Sequence, residues 1–388
     1  MRVLFSTTAG AGHFGPMVPF AKACRDAGHE VKVAAPASFA PAVAATGLDH
    51  APFADVPPEV MGAIFGRLPE LSRVEANRVV MTDVFGRLDA QAALPGVVTL
   101  MASWRPDVVV REFCEFASLV AAEKAGVPHV QVAIGLAAAY ETALPAVASP
   151  LAELDAVAGL PDGTAYQALA SGPVVSCIPA EFDGDDEKDG RRIHRFRDPS
   201  STVVEGPLPQ PWGDPRHPLV YITFGSIAAG LPPFAGIYRS VLDALSGEAL
   251  RVLVTTGSAI EPSSLAPLPA NARVERWLPQ ASVMPHTAVV VGHGGFGTTM
   301  AALAGGVPQV VIPLFAFDQF LNAERIAAIG AGVCLDGGPD AVPSLAPALA
   351  GILGDQTYRE KASGIATAMG ELPDVASSVS LVEQLAGS

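Results

Sequence analysis

The chain is poor in three features that would each point to a particular class of protein: cysteines, basic residues and long apolar runs. Its 388 residues include 4 cysteines, 24 Lys and Arg against 39 Asp and Glu, and a formal net charge of -15. The cysteines are far apart and lack metal-ligand spacing, which predicts reduced thiols rather than disulfides or a zinc site. No basic stripe offsets the negative charge, so nucleic acid is not an expected partner.

The sequence also lacks the apolar segments that direct a chain to a membrane. Met1 is followed by a short strand-like run and then glycines, where a signal peptide would need a long apolar segment. No uninterrupted apolar stretch reaches membrane-spanning length. We therefore expect a cytoplasmic protein without a membrane partner, either a monomer or a homodimer.

What is abundant is an alternation of short buried strands and helices, which predicts βαβ units and parallel sheets. Half of the residues are hydrophobic, and the length suits two domains. The alternation covers the first part of the chain, stops before a proline-rich stretch, and restarts at Leu219. The predicted fold is α/β, with two doubly wound, Rossmann-like domains facing each other across a cleft. The predicted boundaries are an N-terminal domain at 1–205, a linker at 206–217, a C-terminal domain at 218–372, and a helix at 373–388 that returns to the first domain.

Two glycine-rich turns of the form G-x-G-x-x-G each follow a strand and precede a helix, at residues 10–15 and 292–297. The pattern leaves a nicotinamide-dependent oxidoreductase open. The first turn lacks the acidic residue that should follow on the next strand to bind a ribose. The second turn fits a phosphate cradle better, because amides at a helix N-terminus favour an anion. Its glycines would allow close approach of a ligand, although turn glycines also serve packing alone.

Residues 277–332, from WLPQ to IGAG, resemble the donor-binding signature of family 1 glycosyltransferases of the GT-B fold, particularly bacterial enzymes that act on natural products. The resemblance implies a nucleotide-diphosphate sugar as co-substrate. It implies that Trp277 stacks on the nucleobase, that Gln280 contacts the nucleoside, and that Asp318 with Gln319 binds the sugar. Trp277 could instead be a core residue and Asp318 a helix N-cap. The full implied donor set is Ser226, Trp277, Leu278, Gln280, His293, Gly294, Gly295, Gly297, Thr298, Asp318 and Gln319, with Ser226, His293, Gly295 and Thr298 on the diphosphate.

His13, at the tip of the first glycine loop, matches the general base of the same family. Attack by an alcohol on an anomeric carbon needs a base that takes the hydroxyl proton. Glu112, after a later parallel strand, matches the acidic residue that orients this histidine, in place of the commoner aspartate. Glu115 and Asp107 are rivals for that role, although Asp107 begins the strand and should lie at its opposite end. A single displacement then predicts inversion at the anomeric carbon.

Ala301 occupies the position at which plant members of the family usually carry a glutamate that bonds the ribose hydroxyls. Without that carboxylate a deoxyribose donor such as a dTDP-sugar is favoured, with UDP-glucose as the alternative. No Asp-x-Asp or His/Cys cluster stands where a metal would bridge the phosphates. We therefore expect no cofactor and no metal requirement, and activity that survives EDTA.

The acceptor is expected to be a small hydrophobic molecule with a hydroxyl group. Apolar residues of the N-terminal half mostly belong to the core, as helical spacing usually indicates. Some of them could line an acceptor pocket, namely Phe65, Met81, Phe85, Phe113 and Tyr140. A non-catalytic relative that binds sugar nucleotide and assists a partner enzyme is a further alternative, against which the pairing of His13 with Glu112 argues.

Overall fold

The computed structural model describes residues 1–188, 191–199, 206, 208–209, 211–225, 228–258 and 260–387, which divide into two units. The first unit comprises Met1–Pro199 with Leu372–Ser388, and the second comprises Ser200–Glu371. Each unit has its own sheet, and each sheet has its own apolar core on both faces.

The first unit is built on an eight-stranded sheet in the order β3-β2-β1-β4-β5-β6-β8-β7, parallel except for the β7–β8 pair. Strands β1 and β4 pair in parallel, so that Ser6 lies opposite Arg111 and their carboxyl ends meet at one edge. The apolar runs of these strands are buried, as both-face coverage of a parallel sheet requires. The strands are β1 (Arg2–Ser6), β2 (Glu30–Pro36), β3 (Asp49–Phe53), β4 (Val108–Glu112), β5 (His129–Val132), β6 (Val174–Ser176), β7 (Glu187–Lys188) and β8 (Arg191–Arg195).

The helices of this unit cover both faces of the sheet. They are α1 (Ala11–Phe14), α2 (Val18–Asp26), α3 (Ala40–Ala44), α4 (Pro58–Phe65), α5 (Arg73–Val79), α6 (Ala90–Trp104), α7 (Phe116–Ala125), α8 (Ala137–Ala158), α9 (Thr164–Ser171), α10 (Ala180–Asp183) and the C-terminal α17 (Ser378–Ala386). A π-helical segment, Val80–Asp89, joins α5 to α6 in one continuous helical run. Among the residues that the structure describes, no helix combines the length and the apolar character that crossing a bilayer would take.

The second unit repeats the plan with a six-stranded, fully parallel sheet in the order β11-β10-β9-β12-β13-β14. In both units the chain reverses its direction of progress along the sheet beside the first strand, which is where such folds bind ligands. The elements are β9 (Leu219–Thr223), α11 (Ile237–Ala244), β10 (Arg251–Thr255), β11 (Ala272–Glu275), α12 (Gln280–Val283), β12 (Val289–Gly292), α13 (Phe296–Ala304), β13 (Gln309–Val311), α14 (Phe317–Ala328), β14 (Gly332–Cys334), α15 (Leu345–Gly354) and α16 (Thr357–Glu371). The predicted α/β class is confirmed.

The unit boundaries differ from the predicted ones around the proline-rich stretch 206–217. Its described residues belong to the second unit rather than to a separate linker. Trp212 explains the difference, because its ring packs against the core of that unit and its Nε1 donates to the Val252 carbonyl at 3.1 Å. At the other end of the chain, α17 belongs to the first unit, where Val379 and Val382 are buried.

Candidate active site

Glu112 ends β4 beside the end of β1 and is fully buried. Its Oε1 accepts hydrogen bonds from the Thr8 backbone N–H at 3.2 Å and the Thr8 hydroxyl at 3.1 Å. Its Oε2 accepts from the Cys114 N–H at 2.6 Å. Burial alone would raise the pKa of Glu112, but the charge of His13 and these hydrogen bonds outweigh burial and lower the pKa below its ordinary value. The carboxylate is therefore held ionised and in one orientation.

His13 is the neighbour of that carboxylate, with its Nδ1 3.2 Å from Glu112 Oε1. The imidazole is 23% exposed, and it also contacts the Phe85 ring, with the two ring centroids 5.2 Å apart. The negative charge beside Nδ1 favours the proton on that nitrogen and leaves Nε2 as the proton acceptor of the ring. A general base with an orienting acid would need such an arrangement.

The residues around His13 form the short helix α1 and not the open loop that the sequence predicts. The N–H groups of His13 and Phe14 both donate to the Gly10 carbonyl, at 3.2 and 3.0 Å. Phe14 is buried in the apolar core on one face of the sheet, and this packing holds the glycine-rich segment against the first unit. His13 therefore projects from a backbone that is anchored on both sides.

The two rivals of Glu112 have other roles. Glu115 is the N-cap of α7, with its carboxylate accepting from the Ser118 N–H at 3.1 and 3.2 Å. Asp107 precedes β4 and accepts from the Arg2 backbone N–H at 2.7 Å, at the opposite end of the strand. The structure brings only Glu112 of the three within ion-pair distance of His13, in the part of the chain that it describes.

A group of possible metal ligands coincides with this pair. Ligand atoms of His13, Glu112 and Cys114 lie within 4.8 Å of one another. The Glu112 oxygens already accept three N–H and O–H donors, so the carboxylate is committed to the protein. The donor set thus fits an orienting acid better than a metal ligand, and the absence of a metal requirement stays a prediction.

The second unit has a pocket of about 480 Å³ at the carboxyl ends of β9 and β10. Trp277 stands at this pocket with 70% of its surface exposed, so it is not a core residue. Gln280 donates from Nε2 to the Thr298 hydroxyl at 3.1 Å, which joins two of the predicted donor residues. The predicted residues that line the pocket are Trp277, Leu278, Gln280, Gly297 and also Ala301.

Further residues line the same pocket and were not predicted as site residues, among them Tyr221, Thr223, Thr255, Gly257 and Arg276. Tyr221 is buried, and its hydroxyl lies 2.7 Å from Thr255 Oγ1. The signal that could have found them is topological, since all but Arg276 lie on or just after the carboxyl ends of two adjacent strands. Arg276 is paired with Glu261.

The glycines of the second turn differ in whether packing requires them. A Cβ on Gly294 (φ +82°) would lie 2.6 Å from the Gln319 carbonyl oxygen, and a Cβ on Gly295 would lie 2.4 Å from His293 Nε2. A Cβ on Gly297 would meet nothing within 4 Å. The packing explanation therefore accounts for Gly294 and Gly295, while Gly297 alone leaves space for a ligand to approach.

His293 is enclosed by that turn. Burial lowers the pKa of His293 to about 4, although the Thr223 carbonyl acts in the opposite direction. The imidazole is therefore neutral near pH 7, with a single N–H that the Thr223 carbonyl accepts, and it offers a diphosphate no positive charge. The positive end of helix α13, which starts at Phe296, is the electrostatic partner for an anion here.

The sugar-binding candidates lie at the start of α14. Asp318 is in its first turn, but the helix begins at Phe317 after Ala316, so Asp318 is not the N-cap. Gln319 is buried, and its Oε1 accepts from the Leu314 and Phe315 N–H groups at 3.0 and 3.2 Å. Its oxygen thus shapes the turn, and only its amide nitrogen is left for a ligand. Ser226 lies outside the described residues.

Replacing Gly295 with alanine is expected to lower the thermal unfolding midpoint, because the new methyl group would overlap the His293 ring. Overpacking of this kind typically costs about 1–3 kcal/mol. Gly297→Ala is the matched control: its methyl group has free space within α13, where alanine favours the helix over glycine by about 1 kcal/mol. Differential scanning fluorimetry of both variants checks this. Equal midpoints for the two would contradict the described packing.

The predicted acceptor residues are dispersed in the structure. Met81, Phe113 and Tyr140 are buried core residues, with the Phe113 and Tyr140 ring centroids 4.6 Å apart. Phe65 is 49% exposed at the end of α4. Phe85 contacts the His13 ring. None of the five lines the cavity of the first unit that is described below.

Comparison with solved structures identifies the fold. The glycosyltransferase VinC, solved in complex with dTDP, aligns over 100% of both chains with a TM-score of 0.77 and 24% identity. This likeness shows the fold, which is that of the two-domain GT-B glycosyltransferases.

Comparison with families and curated proteins then identifies the family. The models of the erythromycin biosynthesis protein CIII-like N-terminal and C-terminal domains match residues 22–147 and 239–385. L-demethylnoviosyl transferase of Streptomyces niveus is 34% identical, covering 92% of this chain and 91% of its own. TDP-daunosamine transferase DnrS of Streptomyces peucetius is 28% identical, covering 99% and 97%. The chain belongs to the erythromycin biosynthesis protein CIII-like family, and it is a glycosyltransferase of the antibiotic-biosynthesis type. The resemblance seen in residues 277–332 is confirmed.

Proposed function

We propose that the protein transfers a sugar, with inversion, from a nucleotide diphosphate to a hydroxyl of a hydrophobic natural-product acceptor, with His13 as the general base. The observation that carries this proposal is the His13–Glu112 pair, in which a fully buried carboxylate lies 3.2 Å from the imidazole Nδ1. A lone surface histidine would have no need of a carboxylate held by three hydrogen bonds.

In the proposed reaction the acceptor oxygen attacks the anomeric carbon as its proton passes to Nε2 of His13. The bond from the anomeric carbon to the diphosphate oxygen breaks, and the electron pair leaves with the nucleoside diphosphate. Glu112 stabilises the imidazolium that forms, without taking a proton itself. A single displacement converts an α-linked donor to a β-glycoside, and a β-linked L-sugar donor to an α-glycoside.

The leaving group is already stable as an anion, and the second unit supplies what would stabilise its developing charge. The N-terminus of α13 offers backbone N–H groups and the positive end of the helix dipole. His293 is neutral because burial lowers its pKa to about 4, and it donates its one N–H to the diphosphate in place of the Thr223 carbonyl. These groups support transfer without a metal or another cofactor.

We propose a dTDP-sugar as the donor, in preference to a UDP-sugar. Ala301 lines the nucleotide pocket where a carboxylate would be needed to bind a ribose 2′-hydroxyl. One of the relatives, TDP-daunosamine transferase DnrS, carries a TDP-sugar in its name.

The donor proposal predicts that the wild type has a higher kcat/KM for dTDP-glucose than for UDP-glucose. The variant Ala301→Glu is expected to shift the ratio toward UDP-glucose at least about tenfold, since a hydrogen bond to a charged group contributes about 1.5–3 kcal/mol. Comparison with dUDP-glucose separates the 2′-hydroxyl from the thymine methyl group. Initial rates measured by mass spectrometry give the donor preference of the wild type and of the variant. The same rates with and without EDTA show whether transfer needs a metal ion.

The control for that experiment is Ala304→Glu, which adds the same charge to α13 at a position that does not line the pocket. Its donor ratio should equal that of the wild type. A wild-type preference for UDP-glucose would overturn the donor proposal. Loss of transfer in EDTA would overturn the proposal of metal independence.

A further inference from the structure

The first unit holds a cavity of about 100 Å³ next to the His13–Glu112 pair. Thr8 and Cys114, whose N–H groups hold the two Glu112 oxygens, form part of its wall. A cavity of this size is smaller than a typical small-molecule site, so it suits one end of a ligand and not the whole molecule. Most of the remaining wall is apolar: Phe53, Val56, Met61, Ala90, Ala93 and Phe116.

Three carboxylates interrupt this apolar wall, and they differ in their partners. Asp55 accepts hydrogen bonds from the N–H of Ser38, at 3.0 Å, and from its hydroxyl. Glu115 caps α7. Asp89 accepts no hydrogen bond and forms no ion pair within the described part of the chain. Asp89 is therefore the acidic group of the wall that is open to a donor from a ligand.

The position of Asp89 follows from the π-helical segment Val80–Asp89, of which it is the last residue. Phe85, four residues earlier, touches the His13 ring, so this segment borders both the base and the cavity. Such segments are rare and occur frequently at functional sites.

The surroundings of Asp89 raise the pKa of its carboxyl group. Burial raises the pKa of Asp89 to about 6; the charge of His13 opposes this rise, and the charges of Glu112 and Glu115 add to it. A half-buried carboxylate without donors is costly, and a ligand hydroxyl would relieve that cost.

We propose that Asp89 determines acceptor specificity by accepting a hydrogen bond from a second hydroxyl of the acceptor, distinct from the one that is glycosylated. The apolar wall receives one end of the carbon skeleton, and Asp89 anchors the molecule there. The reacting hydroxyl is then directed toward His13. This inference rests on the proposed function for the identity of the ligand, but it concerns binding to the first unit and can be measured without transfer.

The test uses two probes that differ in one hydrogen-bond donor, 2,7-dihydroxynaphthalene and 7-methoxy-2-naphthol. Isothermal titration calorimetry on the full chain gives the Kd of each. We expect the wild type to bind the diol at least about tenfold more tightly, the lower end for a hydrogen bond to a charged group. In Asp89→Leu this preference should disappear through weaker binding of the diol alone, and Asp89→Asn, which keeps an acceptor oxygen, should retain part of it.

Asp83→Asn is the matched control, because Asp83 lies in the same π-helical segment but pairs with Arg87, at 2.7 Å, away from the cavity. It should leave both Kd values unchanged. The proposal is overturned if Asp89→Leu weakens both probes equally, if it leaves the preference intact, or if the wild type binds neither probe. Transfer with an unaltered preference in Asp89→Leu would refute this inference and leave the proposed function standing. Asp89-dependent binding without transfer from any donor would support this inference and refute the proposed function.

Discussion

Replacement of His13 by alanine is expected to lower kcat at least about 100-fold, the lower range for loss of a general base. The loss should be in kcat more than in KM, because the imidazole acts on the proton in the transition state. Initial rates at saturating donor and acceptor measure it. Transfer that remains would proceed with water as the proton acceptor.

The control for this variant is His50→Ala, which removes another half-buried histidine of the first unit, one whose Nε2 lies 3.1 Å from the Ala35 carbonyl oxygen. It should keep kcat within about threefold, in line with the modest net value of a single hydrogen bond. If the His13→Ala enzyme kept more than a tenth of the wild-type kcat, the imidazole would not be the general base.

Replacement of Glu112 by glutamine is expected to lower kcat by about 100-fold to 10⁴-fold. Loss of the equivalent carboxylate charge in a Ser-His-Asp triad costs about 10⁴, because the histidine then takes the wrong tautomer. The same reasoning holds here, since Nδ1 of His13 faces Glu112 Oε1 at 3.2 Å. The glutamine amide could present N–H to that nitrogen and turn Nε2 from a proton acceptor into a donor.

Glu112→Asp separates charge from packing. Aspartate keeps the negative charge and shortens the side chain, so it should recover a large part of the activity that glutamine loses. Thermal midpoints of the two variants show whether either perturbs the fold. Equal kcat values for the glutamine and aspartate variants would mean that Glu112 acts through packing and does not orient His13.

Much of the fold could be predicted from the sequence because its elements are locally encoded. Helix α7 is an example, because its start is set by the Glu115 cap and its end by Gly126 in the left-handed conformation. The proximity of His13 and Glu112 followed from a general rule, that parallel strands bring their carboxyl ends together. The register of β1 against β4 gives that rule its concrete form.

The rest of the candidate site could not be predicted, because it depends on contacts that no local sequence pattern encodes. Apolar residues at helical spacing do not reveal whether they face the core, as Met81 and Tyr140 do, or a cavity, as Met61 does. Asp89 could not be singled out, because a π-helical segment breaks the period of 3.6 on which such predictions rest. Nor could the sequence distinguish Gly295, excluded from bearing a side chain by His293, from the unobstructed Gly297.

The enclosure of His293 bears on attempts to re-engineer the donor preference. A β-carbon at Gly225 would lie 2.8 Å from the imidazole, just as one at Gly295 would collide with it from another side. Mutant libraries that randomise these glycines should therefore yield mainly misfolded protein. Randomisation is better applied to the rim of the pocket, where Arg276 and Trp277 are exposed and their side chains can be exchanged without disturbing the turn.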